Sequence, residues 1–310
     1  KKRRGFKKYM KYDIIGDVHG YAKNLKALLE KMGYENELGY YKHPDKNRMA
    51  IFVGDYIDRG TDEEAVIDIV RPMIDNGSAY GIMGNHEYNA ICYATELENG
   101  EYLRPHNDRN YHTHKEFLEE YPFGSEKYKD IIEWFKGLPL FLEFDTFRVI
   151  HAAWIQEKID FIKPKLGENN TLTESLLKEV SKKEEVYHSL EFLLKGAELI
   201  LPDNQYWQDP HGLMRNTMRF NWFVKKEDVT YRNCALSIPE GVELPNKKIN
   251  NPPTLYNSDK PVFFGHYWMS GLPSIQTEKA VCVDYSVAKG GCLTAYHFDG
   301  SELSNDNFIY

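Results

Sequence analysis

Apolar residues along the chain fall into short runs that alternate with amphipathic stretches. Tyr12-Asp13-Ile14-Ile15 reads as a buried strand stopped at Gly16. Leu25, Leu28, Leu29 and Met32 then recur at helical spacing, and Gly33 is placed to end that helix. Residues 49–53 form a second apolar run before Gly54, and Val66, Ile69, Val70 and Met73 mark a second helix. Thr61 with Glu64 has the spacing of a capping box for it. Residues 79–83 are a third run, stopped by Gly84. This β-α-β-α-β order predicts an α/β fold with a parallel core.

Further on, residues 140–144 and 147–150 read as two strands joined through Asp145-Thr146 into a hairpin. Residues 160–200 are rich in Lys, Glu and Leu and read as a helical insertion, with Thr171 and Glu174 as a second capping box. Residues 235–260 lack periodicity and read as a long loop, and late strands are expected at 262–264, 280–284 and 293–298. There is no repeat and no inter-domain linker, so residues 10–310 are expected to form one domain.

Composition narrows the class. The 310 residues are 42% hydrophobic and 28% charged, enough for a packed core. No apolar run reaches the ~18 residues a membrane helix needs, which points to a soluble protein without a membrane partner. Cys92, Cys234, Cys282 and Cys292 are scattered with no CxxC pair, as expected of a reducing cytoplasm. The formal charge of −8 makes nucleic acid a poor partner. Residues 1–9 are basic and read as a leader that is either disordered or not native. The sharper reading is an arm for an anionic partner.

The chemistry sits where strands stop. Gly16-Asp17-Val18-His19-Gly20, Gly54-Asp55-Tyr56-Ile57-Asp58-Arg59-Gly60 and Gly84-Asn85-His86-Glu87 each follow one of the first three strands. Each block alone reads as a satisfied turn. Together, at the C-terminal ends of neighbouring strands, they enclose a crevice where open α/β sheets bind ligands. His151 and His266 each follow a later strand. Asp17, His19, Asp55, Asn85, His151 and His266 form a donor set of oxygen and imidazole without thiolate. That set favours Mn, Fe, Zn or Co, and six donors suit two ions bridged by a shared carboxylate.

These motifs, in this order, resemble the calcineurin-like metallophosphoesterase superfamily. They are most similar to its PPP-type branch of Ser/Thr protein phosphatases and symmetrical diadenosine-tetraphosphate hydrolases. His266 followed by Tyr267-Trp268 fits that branch; relatives outside it tend to carry Gly-His-x-His. The resemblance implies a four-layer α/β/β/α sandwich with two mixed β-sheets. It implies a first ion on Asp17, His19 and Asp55, and a second on Asp55, Asn85, His151 and His266, with Mn the expected metal. A hydroxide between the ions would attack phosphorus in line. Arg59 would grip phosphoryl oxygens, and His86, oriented by Asp58, would protonate the leaving oxygen. The family adds a later arginine, for which Arg219 is preferred over Arg215. Where relatives often show His-Gly-Gly, this chain has His151-Ala152-Ala153.

The substrate is less legible. Trp207-Gln208-Asp209-Pro210 is similar to an element of the protein phosphatases, and Val283-Asp284 with residues 290–295 to the tail of the dinucleotide hydrolases. The expectation is a phosphatase acting on monoesters of protein or small molecules, with diadenosine tetraphosphate hydrolysis as the alternative. A catalytically silent metal-binding scaffold is the reading of another class. The segment from Arg104 to His114 reads as a solvated loop, in which Arg104 and Arg109 are candidates for reading a second phosphate or an acidic peptide.

Overall fold

The computed structural model describes residues 9–310; apart from Tyr9, the basic leader lies outside them. Strands Lys11–Ile15, Arg48–Phe52 and Ala79–Gly81 pair in parallel, in register Ile14 with Ile51 and Ile51 with Tyr80. Strand Ala295–Phe298 adds antiparallel to the first of them, and Phe308–Ile309, which the sequence pattern did not suggest, adds outside it. A second mixed sheet runs in the order Ala280–Cys282, Val262–Phe264, Arg148–Ile150, Phe141–Glu143. The expected hairpin is its antiparallel edge.

The period of two along each strand explains how the sheets stack. Ile14, Ile51, Val149, Phe263, Val281 and Phe298 form one buried cluster between the two sheets. Their neighbours Ile15, Ala50, Phe52, Ile150, Val262 and Phe264 turn to the outer faces and join the cluster that the helices cover. Helices Ala22–Lys31 and Glu63–Asp75 contribute Leu25, Leu29, Val66 and Val70 to it. This is the expected α/β/β/α layering with two mixed sheets.

Helix starts differ from the local reading. The helix at 63–75 has Asp62 at its N-cap with no side-chain bond, so Thr61 and Glu64 form no capping box. Its free amides are instead taken by Glu120 from a helix far along the chain, at 3.1 Å from Glu63 N and 2.7 Å from Glu64 N. A carboxylate there also meets the positive end of the helix dipole. The helix Glu174–Val180 is capped by Thr173, whose hydroxyl accepts from Leu176 N, rather than by Thr171.

Residues 156–195 fold as helices Gln156–Ile162, Glu174–Val180 and Glu184–Lys195. The last packs close to the second sheet: Ala152 N and Ala153 N both donate to Leu193 O, at 3.3 and 3.2 Å. The small side chains after His151 therefore let a helix carbonyl reach the loop backbone. A three-stranded sheet of Glu198–Ile200, Thr217–Phe220 and Ala235–Leu236, which the periodicity did not suggest, carries Arg219. No helix among the described residues is long and apolar enough to cross a membrane.

Candidate active site

The loops after the three parallel strands and those around His151 and His266 converge at one edge of the sandwich. Close backbone approach builds the meeting point. A Cβ on Gly84 would lie 2.2 Å from Asp55 Oδ1 and 2.3 Å from Asp55 N, and one on Gly265 would lie 2.1 Å from Asp17 Oδ1. Several non-glycine residues here hold positive φ, including His19 at 48°, Asp55 at 55°, Asp58 at 66°, Arg59 at 85° and His266 at 73°. Such backbone costs on the order of 1–3 kcal/mol per residue and persists only where surroundings over-determine it.

Asp55 lies at the centre. Its Oδ2 stands 3.6 Å from His19 Nε2 and 3.3 Å from His151 Nε2, and its Oδ1 accepts from His86 N at 3.0 Å. The Nδ1 of His19 faces Ile57 O at 2.9 Å and the Nδ1 of His151 faces Val53 O at 2.7 Å. Those contacts fix the tautomers and leave both Nε2 atoms as acceptors, the usual support for a metal-binding imidazole. Asn85 Oδ1 lies 3.0 Å from His151 Nε2 and 3.0 Å from His266 Nδ1. Two groups have ligand atoms mutually within 4.8 Å: His19, Asp55 and His86, and Asp55, His151 and His266. Asp55 belongs to both. Asp17 is outside these trios, but its Oδ2 is 3.9 Å from His19 Nε2 and it accepts from His266 N at 3.1 Å.

The electrostatics fit cations. Asp17 is pushed well above the usual carboxylate range by burial and by the Asp284 and Asp55 carboxylates. Burial pushes Asp55 the same way, but His151, His86 and His19 outweigh it and hold its carboxyl well below that range. Burial holds His19 down to about 4, and holds His266 far down with help from Arg219, so both stay neutral donors near pH 7. Burial lowers His151 too, but Asp55 more than restores it and leaves it above its ordinary value. Buried acids, imidazoles and an amide oxygen form a hard, mixed N/O donor set that suits a pair of Mn, Fe, Zn or Co ions.

On the open side, His86 Nδ1 is 2.6 Å from Asp58 Oδ2. Burial lowers the His86 imidazole, and Asp55 and Asp58 more than restore it, leaving it above its ordinary value. Arg59 lines a cavity of about 140 Å³ with Asp58, His86, Arg104 and His114, and its guanidinium lies 5.7 Å from the Trp268 ring centroid. Arg219 lines a neighbouring cavity with Asn85 and His266, while Arg215 is held by Asp209 at 2.7 Å. Of the two late arginines, only Arg219 faces the cluster. Arg104 reaches the cavity and Arg109 is exposed beyond it.

Three corrections and additions follow from the geometry. The segment from Arg104 to His114 is exposed along most of its length, as a solvated loop would be, but it carries the short helix Asp108–His112 and is anchored at two points: His106 is stacked between Tyr93 and Tyr102 at 3.8 and 3.9 Å, and His114 is buried with Nδ1 2.8 Å from Asp58 Oδ1. Asp58 is thus shared by two imidazoles. Glu87, quoted only as part of a motif, accepts from Asp55 N, Tyr56 N and Gly84 N at 2.8, 2.7 and 2.9 Å, tying two site loops together. Its position three residues after Gly84 was the available signal. Asp284 accepts from Trp268 N at 2.8 Å and Ser286 N at 3.0 Å, and Trp268 stacks on His19 at 5.6 Å. Nothing local in the sequence marks these last contacts.

The calcineurin-like phosphoesterase family model matches residues 10–225, which is most of the chain and holds the loops of Asp17, Asp55, Asn85 and His151 but not those of His266 and Asp284. The chain belongs to that family. Two relatives within reach of this calcineurin-like phosphoesterase are both named asymmetrical bis(5'-nucleosyl)-tetraphosphatase PrpE. The one from Halalkalibacterium halodurans is 48% identical over 77 residues, 25% of this chain and 31% of the relative. The one from Oceanobacillus iheyensis is 49% identical over 77 residues, 25% of this chain and 30% of the relative. The matched segment thus spans under a third of their length. A cold-active protein-tyrosine phosphatase of a psychrophilic Shewanella superposes with a TM-score of 0.51 at 15% identity, covering 95% of this chain and 80% of that one, a likeness of fold.

Proposed function

We propose that this calcineurin-like phosphoesterase is a dinuclear-metal-dependent hydrolase of phosphate esters. The observation that carries the reading is Asp55, whose carboxylate is common to both candidate ligand groups. Asp17, His19 and Asp55 would hold one ion, and Asp55, Asn85, His151 and His266 the other. Mn is the preferred metal, with Fe, Zn and Co as alternatives. Such a pair supplies a water nucleophile at neutral pH and offsets charge on the phosphoryl oxygens.

The chain's own residues do the rest. Arg59 offers a rigid fork to the phosphoryl oxygens from one side and Arg219 a second from the other. His86, with Nδ1 engaged by Asp58, keeps Nε2 to deliver a proton to the leaving oxygen. Asp58 holds that ring in place, and its bond to His114 leaves the carboxylate little freedom to turn. Residues 10–310 act as one domain with a helical insertion near 160–200, within which the helices run from 156 to 195.

The primary substrate reading is a phosphate monoester, of a protein or a small molecule. The names of the relatives favour a second, a dinucleoside tetraphosphate, and the asymmetrical cleavage they state differs from the symmetrical cleavage the sequence motifs suggested. The test is turnover by Mn-loaded protein on p-nitrophenyl phosphate, a phosphothreonine peptide and diadenosine tetraphosphate in parallel. Metal-dependent turnover of any of them supports the hydrolase, and the largest kcat/KM chooses the substrate. No turnover by protein holding two ions would refute the reading and favour a silent scaffold.

A further inference from the structure

Beside the metal-ligand cluster lies a cavity of about 320 Å³, between Tyr88, Asn89 and Cys92 of the Asn85–Ala94 helix and the helices at 174–195. Its size is at the lower end of small-molecule sites. We propose that it holds the nucleoside moiety of a nucleotide substrate whose phosphates run past Arg104 to the ligand cluster. The inference rests on the phosphoesterase reading above and adds where the leaving part of the substrate sits.

The lining has the parts such a ligand needs. Leu103 and Val180 give apolar walls. Tyr187 lines the cavity with its residue 42% exposed, an aromatic face left for a base to stack on. Asn110, whose Nδ2 donates to Pro105 O at 2.8 Å, leaves its Oδ1 as an acceptor for a base edge. Glu191, held by Lys195 at 2.7 Å, supplies the acidic group that ribose hydroxyls donate to in other nucleotide sites. The Tyr88 hydroxyl is buried with no oxygen or nitrogen partner, and Tyr88 belongs to this lining.

Connectivity points the same way. Arg104 and Asn89 line both this cavity and the one containing Arg59, Asp58 and His86. Tyr187, Glu191 and Lys195 line both this cavity and the one containing Asn85, His266 and Arg219. The nucleoside space therefore borders the candidate site on two sides, and Arg104 stands at one junction with a fork suited to a bridging phosphate.

The experiment is calorimetric titration of Mn-loaded protein with a matched pair of non-hydrolysable probes: adenosine 5'-(α,β-methylene)diphosphate and methylenediphosphonate. They differ by the nucleoside alone. The parent is expected to bind the adenosine probe at least tenfold tighter, within the roughly 5- to 100-fold that one stacked base contributes. Tyr187→Ala is expected to cut that preference at least fivefold. Ser181→Trp, at an exposed position on the cavity lining, is expected to abolish it by filling the space. Equal affinity of the parent for both probes, or an unchanged preference in both variants, would overturn the proposal. Turnover of p-nitrophenyl phosphate by the same preparations separates the two readings: turnover without a nucleoside preference removes this inference alone, and absence of turnover with two ions bound removes the hydrolase.

Discussion

Gly84→Ala changes one hydrogen into a methyl group where the backbone passes closest to Asp55. The added Cβ would stand 2.2 Å from Asp55 Oδ1 and 2.3 Å from Asp55 N, where ordinary contact begins at 3.4 Å. About 1.2 Å of relative movement is needed to relieve it. Neither neighbour yields cheaply. Gly84 N is held by Glu87, and the same carboxylate holds Asp55 N. The movement must therefore pass to Asp55, the carboxylate common to both ligand groups. Overpacking of this kind costs about 1–3 kcal/mol of stability. A misplacement near 1 Å costs on the order of 10²-fold in rate. Gly137→Ala is the control, because its Cβ meets nothing nearer than Trp134 O at 3.3 Å and its φ is negative. The assay is Mn binding by calorimetry, with turnover of p-nitrophenyl phosphate and urea unfolding on the same samples. Gly84→Ala should lose at least tenfold in Mn affinity and about 100-fold in kcat while remaining folded, and Gly137→Ala should match the parent. Parent-like Mn affinity and kcat in Gly84→Ala would refute the argument that this contact fixes Asp55.

Two further expectations test other links. His86→Ala should lower kcat by about 10²- to 10⁴-fold on an alkyl phosphate and far less on p-nitrophenyl phosphate, whose leaving group needs little proton help; equal losses on both would remove His86 as the proton donor. In the middle of the first strand, Asp13 is buried and accepts from Arg48 Nε and Nη2, Tyr34 and His297 at 2.8–2.9 Å. Burial pushes its carboxyl up, but those bonds outweigh it and set it below the ordinary value of 3.8. Asp13→Asn should cost about 3–5 kcal/mol in urea unfolding at pH 7, as expected for breaking a buried pair. With the folded pKa depressed, that difference is present above about pH 3.8 and fades as pH falls through the folded value. A difference that grows on acidification would contradict this.

What could be read along the chain was what chemistry places in consecutive residues. Asp17, Asp55 and Asn85 announce themselves because each directly follows a glycine that stops a strand, and parallel neighbours must end at the same sheet edge. The alternation of Ile14 with Ile15 and of Ile51 with Phe52 likewise foretells two faces to cover. Partners distant in sequence left no such mark. Glu120 capping a helix 57 residues earlier, His114 bonding Asp58 across 56 residues and Asp284 holding Trp268 depend on packing that no local pattern encodes. The two capping boxes misled for the same reason: Thr61 and Thr171 have the right spacing, but chain entry puts Asp62 and Thr173 at the caps. The late arginine is the intermediate case: pattern narrows it to two, and of these Arg219 lines the cavity with Asn85 and His266 while Arg215 pairs with Asp209.

The central claim is that one carboxylate, Asp55, organises a two-ion site. Its most direct test is metal stoichiometry of the parent and of Asp55→Asn, by elemental analysis after saturation with Mn and removal of free metal, with circular dichroism to verify folding. The account predicts two ions per chain in the parent and loss of tight binding at both positions in Asp55→Asn. Two ions retained by the folded variant, or a parent that holds none, would contradict it.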